Sequence, residues 1–318
     1  MLPILLWDAA PEVIRDWGRR YATVAGPDIE SARTTEALSE RIIAGDKVRA
    51  LYRPNVGEVY TFRTPAGEVL YGLDDVLNQA FFSTLMPDGT VHEPGVVAYL
   101  CHALKPNDIF VDVGAHTGYV SCIAGVAGAT VFAIEFQKPL AEVIERNLAL
   151  NGLRRAHVLD LAAGDRDGMT TTPLYNPQLG TKLYRELAVQ DREPPSLRDR
   201  NAQAVPIMRL DTLFADGEPP RLIKIDAEGH ELRILAGASR LIAAGQTEFL
   251  VEYHTHIVGD FGSGIDSLET LFPTDRWRVF ELRDKGMKEL DAEGLRRLVN
   301  APMVGKSESN HHIVFRPR

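Results

Sequence analysis

The stretch IFVDVGAHTGYVS, positions 109–121, restricts the fold more than any other part of the chain. An apolar run carrying a single acid leads into a glycine turn, and the turn leads into a segment of helical period. That order describes a buried strand whose carboxyl end opens a helix, the place where α/β proteins seat a nucleotide-like cofactor.

Strands buried on both faces belong to parallel sheets covered by helices. The same rhythm surrounds the stretch. A helix at 95–103, strand 109–113, a helix at 117–126, a strand at 130–136, a helix at 139–150 and a strand at 156–161 make a βαβαβ half. After an interruption at 164–203, expected to hold a strand or two and an exposed loop, regularity resumes. It brings a strand at 221–225, a helix at 228–244, a strand at 248–253, a helix at 267–272, a strand at 277–282 and a last strand at 312–315. The first part is less regular, with helices expected at 11–23 and 34–44 and a β-hairpin turning at 64–67. The expected division is an α+β extension over 1–88 and an α/β catalytic domain over 89–318, with an inserted loop region at 170–203.

Composition narrows the partners. A net charge of −9 argues against a broad phosphate-binding surface, so nucleic acid is not expected as a partner. The N-terminus has a short apolar run without a basic flank, which predicts neither signal peptide nor membrane span and makes the cytoplasm the expected location. Cys101 and Cys122 lack metal-like spacing and are expected to be buried, reduced thiols.

The turn itself sorts cofactors. A dinucleotide fingerprint needs glycines where this chain has His116 and Tyr119, so a pyrophosphate would meet side chains. The P-loop pattern is also missing. S-adenosylmethionine, with ribose and adenine but no phosphate, suits the site. Asp112 can accept from its ammonium, and backbone N–H groups of the turn residues Gly114, His116, Thr117, Gly118 and Tyr119 suit its carboxylate. Glu135, 23 residues after Asp112, stands at the next strand end where an acid accepts from ribose hydroxyls, and Phe136 is placed to pack on adenine.

A second informative stretch is LIKIDAEGHELRIL, in which a buried strand ends in Asp226, followed by Glu228, His230 and Glu231 where a helix opens. Acids at the carboxyl end of a central strand line the crevice in which doubly wound sheets bind ligands.

Taken in order, VDVGAHTGYVS, AIEFQKP…RNLALNG, LAAGDRDG, RLDTL, LIKIDAEGHELRILAGA and FLVEYH resemble the FkbM family of S-adenosylmethionine-dependent methyltransferases over residues 89–316. The resemblance implies a class I methyltransferase fold, Rossmann-like, with a mostly parallel seven-stranded sheet and an antiparallel last strand. It also implies methylation, often of hydroxyls on sugars, glycans or natural products. By the same resemblance Ala163, Gly164 and Asp165 lie against adenine and Asp226 near the methionine end. His116 and Phe136 depart from the family's usual asparagine and proline.

Methylating a hydroxyl calls for a base, and VEYHTHIV offers Glu252, His254 and His256 on one strand face. His254 is the expected base and His230 its rival. No metal is expected; Asp226, Glu228, Glu252 and His254 are the ligands if one is bound. His311 and His312 are read as surface or cap residues. Tyr71, Phe81, Phe82 and Tyr175 are candidates to line the acceptor pocket. The expected acceptor is a small or carbohydrate-like molecule, and a homo-oligomer is compatible with the chain. The alternatives are N-methylation of a small molecule or peptide, and a non-catalytic S-adenosylmethionine-binding module. A nucleotide-sugar dehydrogenase is disfavoured by the turn.

Overall fold

Short runs of β-branched and aromatic residues alternate with helices through much of the described chain, and eight of its strands pair in one large sheet. The computed structural model describes residues 49–53, 57–72, 91–173, 202–254, 265–284, 286–300 and 310–318. The expected helices at 11–23 and 34–44 lie outside them, as do Phe81, Phe82, Tyr175 and His256.

The described part opens with β1 (Arg49–Arg53), β2 (Gly57–Thr64) and β3 (Gly67–Gly72), a small antiparallel sheet containing the expected hairpin plus one further strand. Next come α1 (Pro94–Ala103), β4 (Ile109–Val113), α2 (Tyr119–Val126), β5 (Thr130–Ile134), α3 (Lys138–Leu150) and β6 (Ala156–Leu159). A second three-stranded sheet, of β7 (Ala162–Ala163), β8 (Gly168–Pro173) and β9 (Ala202–Met208), frames the inserted region. The second half holds α4 (Leu210–Leu213), β10 (Leu222–Ile225), α5 (Glu231–Ala236), α6 (Ser239–Ala244), β11 (Glu248–His254), α7 (Ile265–Leu271), β12 (Trp277–Arg283), β13 (Gly286–Leu290), α8 (Ala292–Val299) and β14 (Asn310–Pro317).

The large sheet runs β13-β12-β14-β11-β10-β4-β5-β6. β14 is antiparallel to both β11 and β12, while β11, β10, β4, β5 and β6 pair in parallel. Without the edge strand β13 this is the seven-stranded sheet with an antiparallel last strand that the family resemblance implied. β13 is a hairpin extension of β12. Chain direction across the sheet reverses between β4 and β10, which opens a crevice at their carboxyl ends.

Side-chain alternation divides the core. Phe110, Leu222, Leu250 and Val314 face α1, α2, α3 and the small N-terminal sheet. Val111, Ile223, Val251 and Ile313 face the opposite layer of α5 to α8. The small sheet is docked by two asparagines of α3 and its cap: Asn147 Oδ1 accepts from Gly72 N at 3.0 Å, and Asn151 pairs with both N and O of Leu70.

Two expectations need correction. The single helix at 228–244 is two helices, because Gly237 sits where a Cβ would be 1.9 Å from the Gly164 carbonyl oxygen, and its own carbonyl accepts from Asp211 N at 2.9 Å. The Asp211 carboxylate then caps α6, accepting from Arg240 N and Leu241 N at 2.8 and 3.0 Å, which gives the RLDTL motif a structural task. β13 and α8 were not anticipated, although Asp291 is an evident N-cap, accepting from Gly294 N at 2.7 Å. No helix among the described residues is long and apolar enough to cross a membrane.

Candidate active site

The glycine turn after β4 is held from both sides. Gly114 N and Ala115 N donate to Ile134 O, and Gly114, at φ 77°, is pressed against the second motif: a Cβ there would be 1.8 Å from Asp226 O. Only glycine tolerates both the left-handed backbone and that approach. Gly118, at φ 83°, starts α2 close against Ile144. His116 adopts φ 52° without being glycine, and burial pushes its imidazole down to about 4, so it is neutral at pH 7.

Asp112 is buried in β4. Its Oδ2 accepts from Ser121 Oγ at 2.6 Å, and its Oδ1 has no hydrogen-bond partner among the described residues. Burial raises its carboxyl above the usual range, against the opposing effect of Lys224. A buried acceptor oxygen with nothing to accept from fits an ammonium ligand. Glu135, also buried, accepts from His116 N at 3.1 Å and Gln137 N at 2.9 Å, and burial pushes it up to about 7. Together these groups fit S-adenosylmethionine: Asp112 for the ammonium, the turn backbone for the carboxylate and Glu135 for the ribose.

The second half of the crevice is built on one face of the large sheet. Lys224 lies beside Asp112 across β10 and β4, and Glu252 pairs with His312 across β11 and β14; His254 follows Glu252 by one period. His254 is 1 % exposed. Its Nδ1–H donates to Glu231 Oε1 at 2.8 Å, and that oxygen also accepts from Gly229 N and Ala227 N at 3.0 and 3.3 Å. Its Nε2 stands 3.6 Å from Glu228 Oε2, 3.7 Å from Glu252 Oε1 and 4.0 Å from Asp226 Oδ1. Burial disfavours the imidazolium, but Glu231, Asp226 and Glu252 overcome that and raise it to about 9. Unless another cation shares the ring, these carboxylates favour a proton on His254 Nε2, and in that state the expected base role passes to a carboxylate of the crevice.

Lys224, which the sequence reading passed over, donates to Asp226 Oδ2 at 2.9 Å. Burial opposes its charge, yet Asp226 and Asp112 hold it above its ordinary value. Asp226 is raised by burial and by Glu252. His312 is not a surface residue: its Nε2 lies 3.5 Å from both Glu93 Oε1 and Glu252 Oε2, because β14 starts at Asn310 and its register brings His312 opposite Glu252. Burial works against its charge, but Glu93 and Glu252 hold it well above its ordinary value.

Other expected site residues fall as follows. Tyr119 turns away from the glycine turn, its hydroxyl donating to His92 O at 2.9 Å and its ring 5.4 Å from Phe62. Thr117 is buried, its carbonyl accepting from Tyr71 and Asn147. Tyr71 is thereby a core residue and not a wall of an acceptor pocket. Phe136 is half-buried next to Glu135. Ala163 is in β7, and the Asp165 carboxylate pairs with Arg233 at 3.2 Å on the exposed side of α5. His230 is exposed at the N-cap of α5, outside the groups that converge on His254. Glu228, like His116 and Glu93, has a left-handed backbone, at φ 48°. Such non-glycine conformations gather at working sites.

A protein-L-isoaspartate O-methyltransferase of Methanospirillum hungatei JF-1 is 31% identical over 126 residues, which are 36% of this chain and 57% of that protein. A second, of Methylorubrum populi, is 38% identical over 78 residues, 24% of this chain and 37% of that protein. The chain thus spans less than two thirds of the length of these relatives. Among solved structures, methyltransferase FkbM from Methylobacillus flagellatus KT aligns over 76% of this chain and 55% of its own, with 16% identity and a TM-score of 0.41. A SAM-dependent O-methyltransferase from Thermotoga maritima aligns over 85% of this chain and 86% of its own, with 15% identity and a TM-score of 0.38. The methyltransferase FkbM domain matches residues 112–286, from the acid of the glycine turn to the start of β13. That match covers more than half of the 318 residues and both halves of the crevice, and the chain belongs to the FkbM family of methyltransferases.

Proposed function

We propose that this S-adenosylmethionine-dependent methyltransferase acts on a hydroxyl of a small, carbohydrate-like or secondary-metabolite acceptor. The observation that carries the reading is the ring of Asp226, Glu228, Glu252 and His254, joined to the cofactor turn where Gly114 meets the Asp226 backbone.

When bound, S-adenosylmethionine supplies a sulfonium methyl, which passes to the acceptor oxygen while the carbon–sulfur bonding pair stays on sulfur. The chain's part is to hold the acceptor and take its proton. Glu228, with its side chain about a quarter exposed at 26%, is the carboxylate we assign to that proton. Lys224 keeps the Asp226 carboxylate in place, and Glu231 fixes His254 so that its Nε2 faces the ring.

The same charges separate acceptor classes. A carboxylate acceptor, as the names of the isoaspartate relatives suggest, would be repelled by this ring. An amine would arrive as an ammonium, attracted but without a lone pair to give. A hydroxyl needs only its proton removed. The test is transfer of isotope-labelled methyl from S-adenosylmethionine to matched panels of hydroxyl, amine and carboxyl acceptors, read by mass spectrometry. Label on hydroxyl oxygen supports the reading; label confined to nitrogen or carboxyl oxygen overturns it.

A further inference from the structure

We propose that Asp226, Glu252 and His254 form a binding site for a divalent cation, with Glu228 in reach of the same ion. The inference rests on the methyltransferase reading for its purpose but not for its geometry.

The atoms that face one another are Asp226 Oδ1, Glu252 Oε1 and His254 Nε2, and the ligand atoms of these three residues all lie within 4.8 Å of one another. Around an ion with bonds of about 2.1 Å, octahedral ligands stand about 3.0 Å apart when adjacent and about 4.2 Å when opposite. The observed 3.7 and 4.0 Å to His254 Nε2 lie inside that range.

What distinguishes this set from a chance gathering of acids is how each ligand is held by its other atom. Asp226 Oδ2 accepts from Lys224 at 2.9 Å. His254 Nδ1 is fixed by Glu231, a carboxylate itself anchored by two backbone N–H groups, so that Nε2 is the nitrogen turned to the ring. Glu252 Oε2 faces His312 at 3.5 Å. Histidine ligands characteristically donate their second ring nitrogen to a carboxylate in this way, which fixes tautomer and direction.

Charge points the same way. Asp226, Glu228, Glu231 and Glu252 surround His254 in a partly buried space, with Asp112 and Glu93 adjoining, and the basic side chains among them are Lys224, His254 and His312. Six carboxylates outnumber those three basic groups, and such an excess favours a further cation; the ion takes the place of the proton on His254 Nε2, which must leave for that nitrogen to ligate. Oxygen-rich coordination with one imidazole suits Mn²⁺ or Zn²⁺ better than Mg²⁺. An acceptor hydroxyl taking a further position on the ion would lose its proton more readily, and Glu228 would receive it.

The experiment uses the full chain, treated with chelator and dialysed, and titrates Mn²⁺ by electron paramagnetic resonance, with Zn²⁺ as competitor. S-adenosylhomocysteine binding is measured separately by calorimetry. The expected result is one Mn²⁺ per chain, displaced by Zn²⁺. His254→Ala should abolish it, and Glu231→Gln should weaken it by about 10–100-fold with S-adenosylhomocysteine binding intact. Wild-type protein that binds S-adenosylhomocysteine yet neither metal overturns the site, as does unchanged Mn²⁺ binding in His254→Ala. Failure to bind S-adenosylhomocysteine would instead count against the methyltransferase reading, and the cation result would be judged on its own titration.

Discussion

Glu135 concentrates the cofactor argument in one side chain. It is a buried acid that burial has pushed up to about 7, and its expected partners, ribose hydroxyls, prefer the carboxylate. Cofactor binding should therefore release a proton below pH 7. S-adenosylhomocysteine affinity should fall by up to about tenfold per pH unit below 7 and level off above it. The ligand-free protein should behave oppositely: with the folded pKa above the unfolded one, stability declines as pH rises from the ordinary carboxylate range through about 7. Glu135→Ala should weaken binding about 10–100-fold, the worth of hydrogen bonds to a charged group. Calorimetry across pH on both proteins measures this, and a flat profile in the wild type would remove Glu135 from the ribose. His254→Ala should lower turnover far more than S-adenosylhomocysteine affinity, and should cost stability of about 3–5 kcal/mol by leaving its carboxylates uncompensated. Steady-state kinetics, calorimetry and thermal melts on that variant check both parts; a normal rate would take His254 out of the chemistry. Much at this scale was legible in the sequence: Asp112, Glu135, Asp226 and Glu252 stand at strand ends where alternation and the crevice rule put them. Lys224 and His312 were not. The first hides in an otherwise apolar four-residue strand, where the usable signal was that a charge inside a buried run must be paired. The second depends on an antiparallel register that a single sequence does not display.

At the scale of elements, close backbone approaches do more than helix preference. Gly237 lies between two helical runs, and alanine there would ordinarily favour a continuous helix. Its Cβ would instead meet Gly164 O at 1.9 Å. Gly237→Ala should therefore destabilise the protein by about 2 kcal/mol or more, read from denaturant unfolding; a neutral or stabilised variant would show that the break between α5 and α6 is not imposed by this contact. The sequence places this helix correctly but joins its two parts, because local period carries no information about a carbonyl arriving from residue 164. It also bounds β4 at both ends as found, since Asn107–Asp108 and the glycine turn punctuate it. By contrast only one of the five residues of β13 is buried, so the hydrophobic pattern that reveals buried strands is weak there.

In the molecule as a whole, the small N-terminal sheet and the cofactor turn are mechanically linked. Phe62, Val69 and Tyr71 share the core that lies under α1 to α3, and the Tyr71 hydroxyl donates to Thr117 O at 3.1 Å, inside the turn. Tyr71→Phe should cost about 1 kcal/mol, since Asn147 still satisfies that carbonyl, whereas Tyr71→Ala should cost about 3–5 kcal/mol and weaken cofactor binding as well. Equal melting temperatures for the two variants would contradict the link. The asparagines of RNLALNG, read in the sequence as family signature, are the residues that dock this sheet, a function visible only once the hairpin lies against α3. The central claim is that Asp112, Glu135 and the glycine turn between them form an S-adenosylmethionine site. Its most direct test is calorimetric titration of the folded, cofactor-free chain with S-adenosylhomocysteine, using NAD as the control and Glu135→Ala beside the wild type. The account predicts saturable binding of S-adenosylhomocysteine, none of NAD, and a clear loss in the variant; NAD binding, or no S-adenosylhomocysteine binding to protein shown to be folded, would contradict it.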